Sequence, residues 1–244
     1  MAFTGTDLQS MIFRIAAELG ARFDLAGLPG SATQAAPNSE AIRNAIATAI
    51  AVYQKQRFRF NEIQPSNPPT FITNGLQSVY TSADSPILSS MYFVDYLNIQ
   101  IGNTLMKLTQ VEPERQHLNI QLFTQFGLPT SWAYEGNSVI LYPVPVTNYV
   151  IYIGAHLQLA GPASDIDQSN VWMQPAQGEK LIRCRAKYEI ATHVTRNMAM
   201  AMAMSPEPDG NNGRPGETYL AWRDLKAETN KVTSTRSRIK PMAF

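Results

Sequence analysis

Residues 129–159 read PTSWAYEGNSVILYPVPVTNYVIYIGAHLQL, and the alternation within them decides the fold. In a first run Trp132, Tyr134, Val139, Leu141 and Tyr142 supply large apolar groups before the turn-forming Pro143 and Pro145. In a second, Tyr149, Ile151, Ile153 and Ala155 alternate with Val150, Tyr152, Gly154 and His156. Period-two patterning of β-branched and aromatic residues bounded by Gly, Pro and Asn marks β-strands. Glu135, Gly136 and Asn137 predict one tight turn. Val146, Thr147 and Asn148 predict a short connection across which the two runs face each other. The expectation is a central hairpin, within an organising stretch that reaches Trp172.

Outward from that stretch the apolar period changes. Upstream, residues 112–126 predict a helix with Pro113 in its first turn, where a missing N–H costs nothing. Residues 71–73, 77–81, 95–101 and 105–111 predict strands, while 85–96 fits either a strand or a short helix. Residues 6–20 predict a first helix, with a Thr6/Gln9 capping box, Asp7 at the positive end of the dipole and the stripe Leu8, Ile12, Ile15, Leu19. After a Gly, Pro and Ser loop, a second helix starts at Asn38 or Ser39, carries Ile42, Ala45, Ile46, Ala49, Ile50 and Tyr53 on one face, and runs to Phe60. Downstream, Leu181, Cys184, Tyr188, Ala191, Thr195, Met198 and Met202 predict one long helix over 177–204, its Met residues serving as core filler or as a malleable surface. Pro215 opens a last helix that ends near Lys231. The order predicts an α+β fold: a helical bundle of residues 1–64 and 173–233, a β-rich insertion of residues 65–172, and an extended C-terminal arm of residues 234–244.

Composition narrows the function. A hydrophobic fraction of 44% predicts a folded chain, and a charged fraction of 16% lies below the roughly 25% of ordinary soluble domains. Such a surface suits a protein that buries much of itself in neighbours. Residues 1–175 hold 8 Lys and Arg against 12 Asp and Glu, net −4, whereas residues 176–244 hold 12 against 7, net +5. A basic C-terminal part suits nucleic acid or an acidic groove, and equally a solvated helix face. The cluster Lys55, Arg57, Phe58, Arg59, Phe60 fits a phosphate backbone, but cations at a helix C-terminus and core aromatics explain it more simply. The single Cys184 forms no internal disulfide and points to a reduced compartment. Neither a signal peptide nor an apolar run of membrane length is expected.

The search for chemistry returns no catalytic, cofactor or metal site. His117, His156 and His193 lack partners at ligand spacing, and nucleophile-elbow, phosphate-loop and dinucleotide fingerprints are missing. Asp165, Asp167 and Asn170 hint at a calcium loop but lack its glycine and distal glutamate, so turn and capping roles are expected.

The succession Pro129, Trp132, Gly136, Val139, Leu141, Pro143, Pro145, then a return strand over 149–159, Asp165, Trp172, a long helix and the basic tail Arg236, Arg238, Ile239, Lys240, Pro241 resembles the head-to-tail adaptor (connector) proteins of tailed phages, short-tailed type. The likeness spans residues 129–244, and the N-terminal helices only in kind; the loop 205–215 and the segment 20–37 depart from it. The resemblance implies a structural virion protein assembled in the host cytoplasm. It implies a homo-oligomeric ring, usually of twelve copies, below the portal protein, extending the channel for genomic DNA and offering the tail nozzle protein a platform. It implies portal-binding residues Arg236, Arg238, Ile239, Lys240, Pro241, Met242 and Phe244 on an arm that orders on docking, and tail-facing or sheet-interface residues Trp132, Tyr134, Leu141 and Tyr142. No enzyme activity, cofactor or membrane is implied. A tail completion or stopper protein, and a DNA-binding module using the basic C-terminal part, are the alternatives.

Overall fold

The computed structural model describes residues 7–26, 40–62, 68–122 and 125–237, with side chains through Asn230 in the last helix. The fold is α+β. Two units divide the chain: residues 1–60 with 160–244, and residues 61–159 between them.

The helical unit comprises α1 (Leu8–Glu18), α2 (Ala41–Tyr53) and, after the insertion, further helices numbered from α4 below. Asp7 caps the start of α1, its carboxylate accepting from Ser10 N at 2.7 Å, and Thr6 of the expected capping box lies outside the described residues. Of the expected α1 stripe Leu8, Ile12 and Ile15 are buried and Leu19 is half-buried, with Met11 and Ala16 buried beside them, and all six predicted positions on α2 are buried. The expected caps Asn38 and Ser39 lie outside the described residues. Helix α2 stops at Tyr53 instead of continuing to Phe60, because tertiary packing claims the aromatics that follow. Phe58 is fully buried, stacks on Phe60, and both meet the edge of Trp172. Trp172 thus belongs to the helical unit, so the boundary falls at residue 160 and not at 173.

The β unit contains β1 (Thr70–Ile72), β2 (Val79–Tyr80), a 3-10 turn (Pro86–Ser90), β3 (Met91–Ile101), β4 (Thr104–Lys107), β5 (Thr109–Gln110), α3 (Pro113–Leu122), β6 (Phe126–Gly127), β7 (Ser131–Glu135), β8 (Ser138–Tyr142), β9 (Val144–Pro145) and β10 (Val150–Leu157). One sheet has the order β1-β10-β3-β4, a second β2-β8-β7-β5, and β6 pairs with β9. The tight hairpin is β7–β8, whose Gly136 (φ 56°) and Asn137 (φ 62°) both take the left-handed conformation that suits the twist of a two-residue turn.

The central hairpin expected across residues 146–148 does not form. Strand β8 pairs with β7 and β2, whereas β10 lies between β1 and β3 in the other sheet. Pro143 and Pro145 have no N–H to donate, and Val144 N turns instead to Gln125 O at 2.9 Å. The alternation nevertheless names the buried faces: Trp132, Val139 and Leu141 from one sheet and Ile151, Ile153 and Ala155 from the other fill a single core. The sheets are also joined through the backbone. Leu108 N donates to Leu97 O of β3, while Thr109 N and Val111 N donate to Thr130 O and Trp132 O. Successive N–H groups of an extended strand point to opposite sides, so the expected single strand 105–111 serves two ladders in turn.

Helix α3 covers the outer face of the second sheet. Gln116 is fully buried there, its amide donating towards Ser131 O and Ile140 O and its Oε1 accepting from Ser131 Oγ.

In the helical unit the long helix predicted over 177–204 is broken. Helix α4 (Glu179–Glu189) gives way to a π-turn (Ile190–Val194), then Arg196 adopts φ 52°, and α5 (Met198–Ala203) restarts. The cause is local. Ile190, Thr192, Val194 and Thr195 crowd the turn with β-branched side chains, Thr195 Oγ1 bonds back to Ile190 O, and Asn197 caps Met200 N. Helix α6 (Glu217–Ser237) runs six residues beyond the expected end. Residues 234–237 are therefore helical rather than part of an extended arm, and residues 238–244 lie outside the described residues.

Candidate interaction surfaces

The helical unit is held by charge as well as by apolar contact. Arg14 and Arg183 both reach Glu179 Oε1, at 2.7 and 2.8 Å, while Arg183 and Lys187 reach Glu18 at 2.5 and 2.9 Å, so α1 is tied to α4 by one network. Arg43 grips Asp165 through both carboxylate oxygens. This guanidinium holds the Asp165 carboxyl below its ordinary range. Asp167 accepts from Ser169, and Asn170 accepts from Trp172 N. Each member of the suspected calcium loop thus has a turn or pairing role, and among the described residues no group of three or more His, Cys, Asp or Glu side chains is placed to hold a metal.

Each histidine faces a carboxylate, distant in sequence for His117 and His156 and four residues earlier for His193. His117 Nε2 lies 2.9 Å from Glu135, His193 Nε2 3.4 Å from Glu189, and the buried His156 Nδ1 2.8 Å from Asp95 Oδ2. The last contact is a close approach without an aligned hydrogen bond. Burial pushes the Cys184 thiol up to about 11, so it is a poor nucleophile at neutral pH.

The four sheet residues singled out by the resemblance separate by exposure. Trp132 and Leu141 are register partners buried in the core. Tyr134 is half-buried, its hydroxyl donating to Met91 O at 3.0 Å, and Tyr142 is half-exposed beside Gln125. Of the seven residues expected to bind the portal, Arg236 stands in the last turn of α6 and the others lie outside the described residues.

The outward-facing apolar groups are elsewhere. Ile72, Leu76 and Val146 are 63%, 74% and 52% exposed. They sit on segments that hydrogen-bond to one another, Leu76 N to Pro145 O and Thr73 N to Tyr149 O. Leu118 and Leu122, one turn apart, stand exposed on α3. In the helical unit Met198 is 71% exposed and, with Tyr188, Thr192 and Met202, borders a cavity of about 500 Å³. Met198 is exposed while Met200, Met202 and Met204 are half-buried, and Ala201 is what α5 buries fully.

Basic groups also gather in the helical unit. Lys226 Nζ donates to Arg57 O at 2.8 Å and lies over the Phe58 ring, and Arg59 N donates to Thr229 Oγ1. Trp222 Nε1 donates to Gln56. Side chains of α6 thereby satisfy Arg57 O and Arg59 N in the segment that follows α2. Burial and the neighbouring Arg57 charge lower the Lys226 pKa. No helix among the described residues is long and apolar enough to cross a membrane. The chain matches no family model and no curated protein.

Proposed function

We propose that the protein is a structural virion protein, a head-to-tail adaptor that forms a ring below the portal, prolongs the DNA channel and offers the tail nozzle a platform. The observation that carries this reading is the exposed group Ile72, Leu76 and Val146 on hydrogen-bonded segments of an inserted β unit. Apolar side chains left in water on a built surface mark sites of protein contact. Low overall charge supports the same reading, since each copy in a ring contributes two different faces to its neighbours. Mass measurement of the purified protein, alone and mixed with portal rings, tests it. The expected result is a ring of copies in the presence of portal; a chain that stays unassociated with portal refutes the proposal. Deleting residues 234–244 tests the docking role of the tail: binding should be lost with the fold intact.

The grouping of Arg57, Arg59 and Lys226 favours the DNA-binding alternative. Duplex binding of the isolated chain that weakens steeply with salt, and is lost in Arg57→Gln/Arg59→Gln, would support it.

A further inference from the structure

Where the strand 104–110 leaves β3 to join β7, a cleft of about 350 Å³ opens, bordered by Asp95, Tyr96, Lys107, Gln110 and Trp132. Trp132 is 1% exposed, and its indole N–H has no hydrogen-bond partner among the described residues, although Trp222 in the same chain donates to Gln56. A buried donor without an acceptor is costly, and Trp132 is among the side chains that line the cleft. Lys107, on the rim, makes no ion pair among the described residues. Asp95, the acidic group on the rim, already has His156 Nδ1 at 2.8 Å. The cleft therefore offers donors and, at Lys107, an ammonium group with no ion pair among the described residues. A second feature lies beside it. Thr109 and Val111 direct their N–H groups to β7, which leaves the N–H and C=O of Gln110 pointing to the open side.

We infer that this cleft is a carboxylate-binding site that takes an Asp or Glu side chain of a polypeptide strand laid along the Gln110 edge. A carboxylate supplies the acceptor that the indole lacks and one negative charge to match Lys107, while a dianion would place excess charge beside Asp95. The volume lies at the small end of ligand sites and suits one side chain. Strand addition supplies affinity through the backbone and specificity through the side-chain pocket. The inference stands on the β unit alone and does not depend on the adaptor reading.

The test follows the indole N–H resonance of Trp132 in the ¹⁵N-labelled full chain, assigned by its loss in Trp132→Phe. Three probes are titrated at matched ionic strength: sodium propionate, a short Thr/Val peptide with one central Glu, and the same peptide with Gln. The Glu peptide should move the Trp132 resonance saturably, at a concentration at least about tenfold below propionate, and Lys107→Gln should raise that concentration about tenfold. The Gln peptide should leave the resonance in place. An unmoved resonance with every probe, as expected if water alone occupies the cleft, overturns the proposal. Equal response to the Glu and Gln peptides overturns the carboxylate assignment, and equal half-saturation by propionate and the Glu peptide overturns the polypeptide.

Discussion

Leu141→Ala probes the core of the β unit directly. Leu141 is fully buried, stands opposite Trp132 in the β7–β8 ladder, and its N–H is held by Ser78 O at 2.8 Å. Truncation removes three carbons, worth about 2.4 kcal/mol at roughly 0.8 kcal/mol per buried methylene. A cavity term adds to this. The neighbours Trp132 and Tyr80 are large, ring-shaped and fully buried, so the site collapses poorly, and a loss of about 3–4 kcal/mol is expected. In urea, with a slope of about 1–3 kcal/mol/M, the unfolding midpoint falls by roughly 1–4 M. Denaturation followed by tryptophan fluorescence and far-UV circular dichroism reads this shift, with the exposed Leu118→Ala as a control expected to change stability by under about 0.5 kcal/mol. A Leu141→Ala loss below about 0.5 kcal/mol would refute the core assignment and return Leu141 to the list of outward-facing residues.

Other perturbations have outcomes set by the same geometry. A Cβ on Gly154 would lie 2.2 Å from the Tyr96 ring, so Gly154→Ala should cost about 1–3 kcal/mol, and Tyr96→Ala in the same chain should recover part of it. Asp165→Asn removes a half-exposed pair with Arg43 and should cost under about 1 kcal/mol at pH 7. Because the folded state lowers the Asp165 pKa, the wild-type advantage is present above the ordinary carboxylate range and fades as pH falls through the folded pKa; melting curves of both proteins from pH 7 downward should converge. With its thiol pushed up to about 11, Cys184 should react with iodoacetamide at pH 8 at least about a hundredfold more slowly in the native than in the urea-unfolded chain. That raised pKa also stabilises the folded state below the ordinary thiol range and ceases to do so as pH climbs towards 11.

Much of the fold was legible because burial follows periodicity. The stripes of α1 and α2 and the inward faces of β7, β8 and β10 are where alternation places them. Strand partners were not legible: a period-two run states which residues point inward but not which neighbour supplies the ladder, and the proline pair sent β8 and β10 to different sheets. Helix ends failed for a related reason. Phe58 and Phe60 fit the α2 pattern yet gain more from Trp172, and Asn197 starts a new helix inside an unbroken apolar period. The cleft beside Trp132 left no trace in the sequence, since Asp95, Lys107 and Trp132 meet only after one strand has changed sheets. The pairing of His156 with Asp95 is equally long-range.

The insertion of the β unit between the helices fixes a delay in biosynthesis. Helices α1 and α2 leave the ribosome early, but α4 starts at residue 179, about 125 residues after α2 ends. At roughly 5–20 residues per second this is about 6–25 s in which α1 and α2 lack their partner α4. The β unit is contiguous in the chain and its strands are complete by residue 157, so it emerges whole while the helices still wait. The nascent chain is then a finished sheet structure leashed to an unfinished bundle. Holdase chaperones would find their target in the first sixty residues, and the bundle closes only when α4 and α6 have left the ribosome.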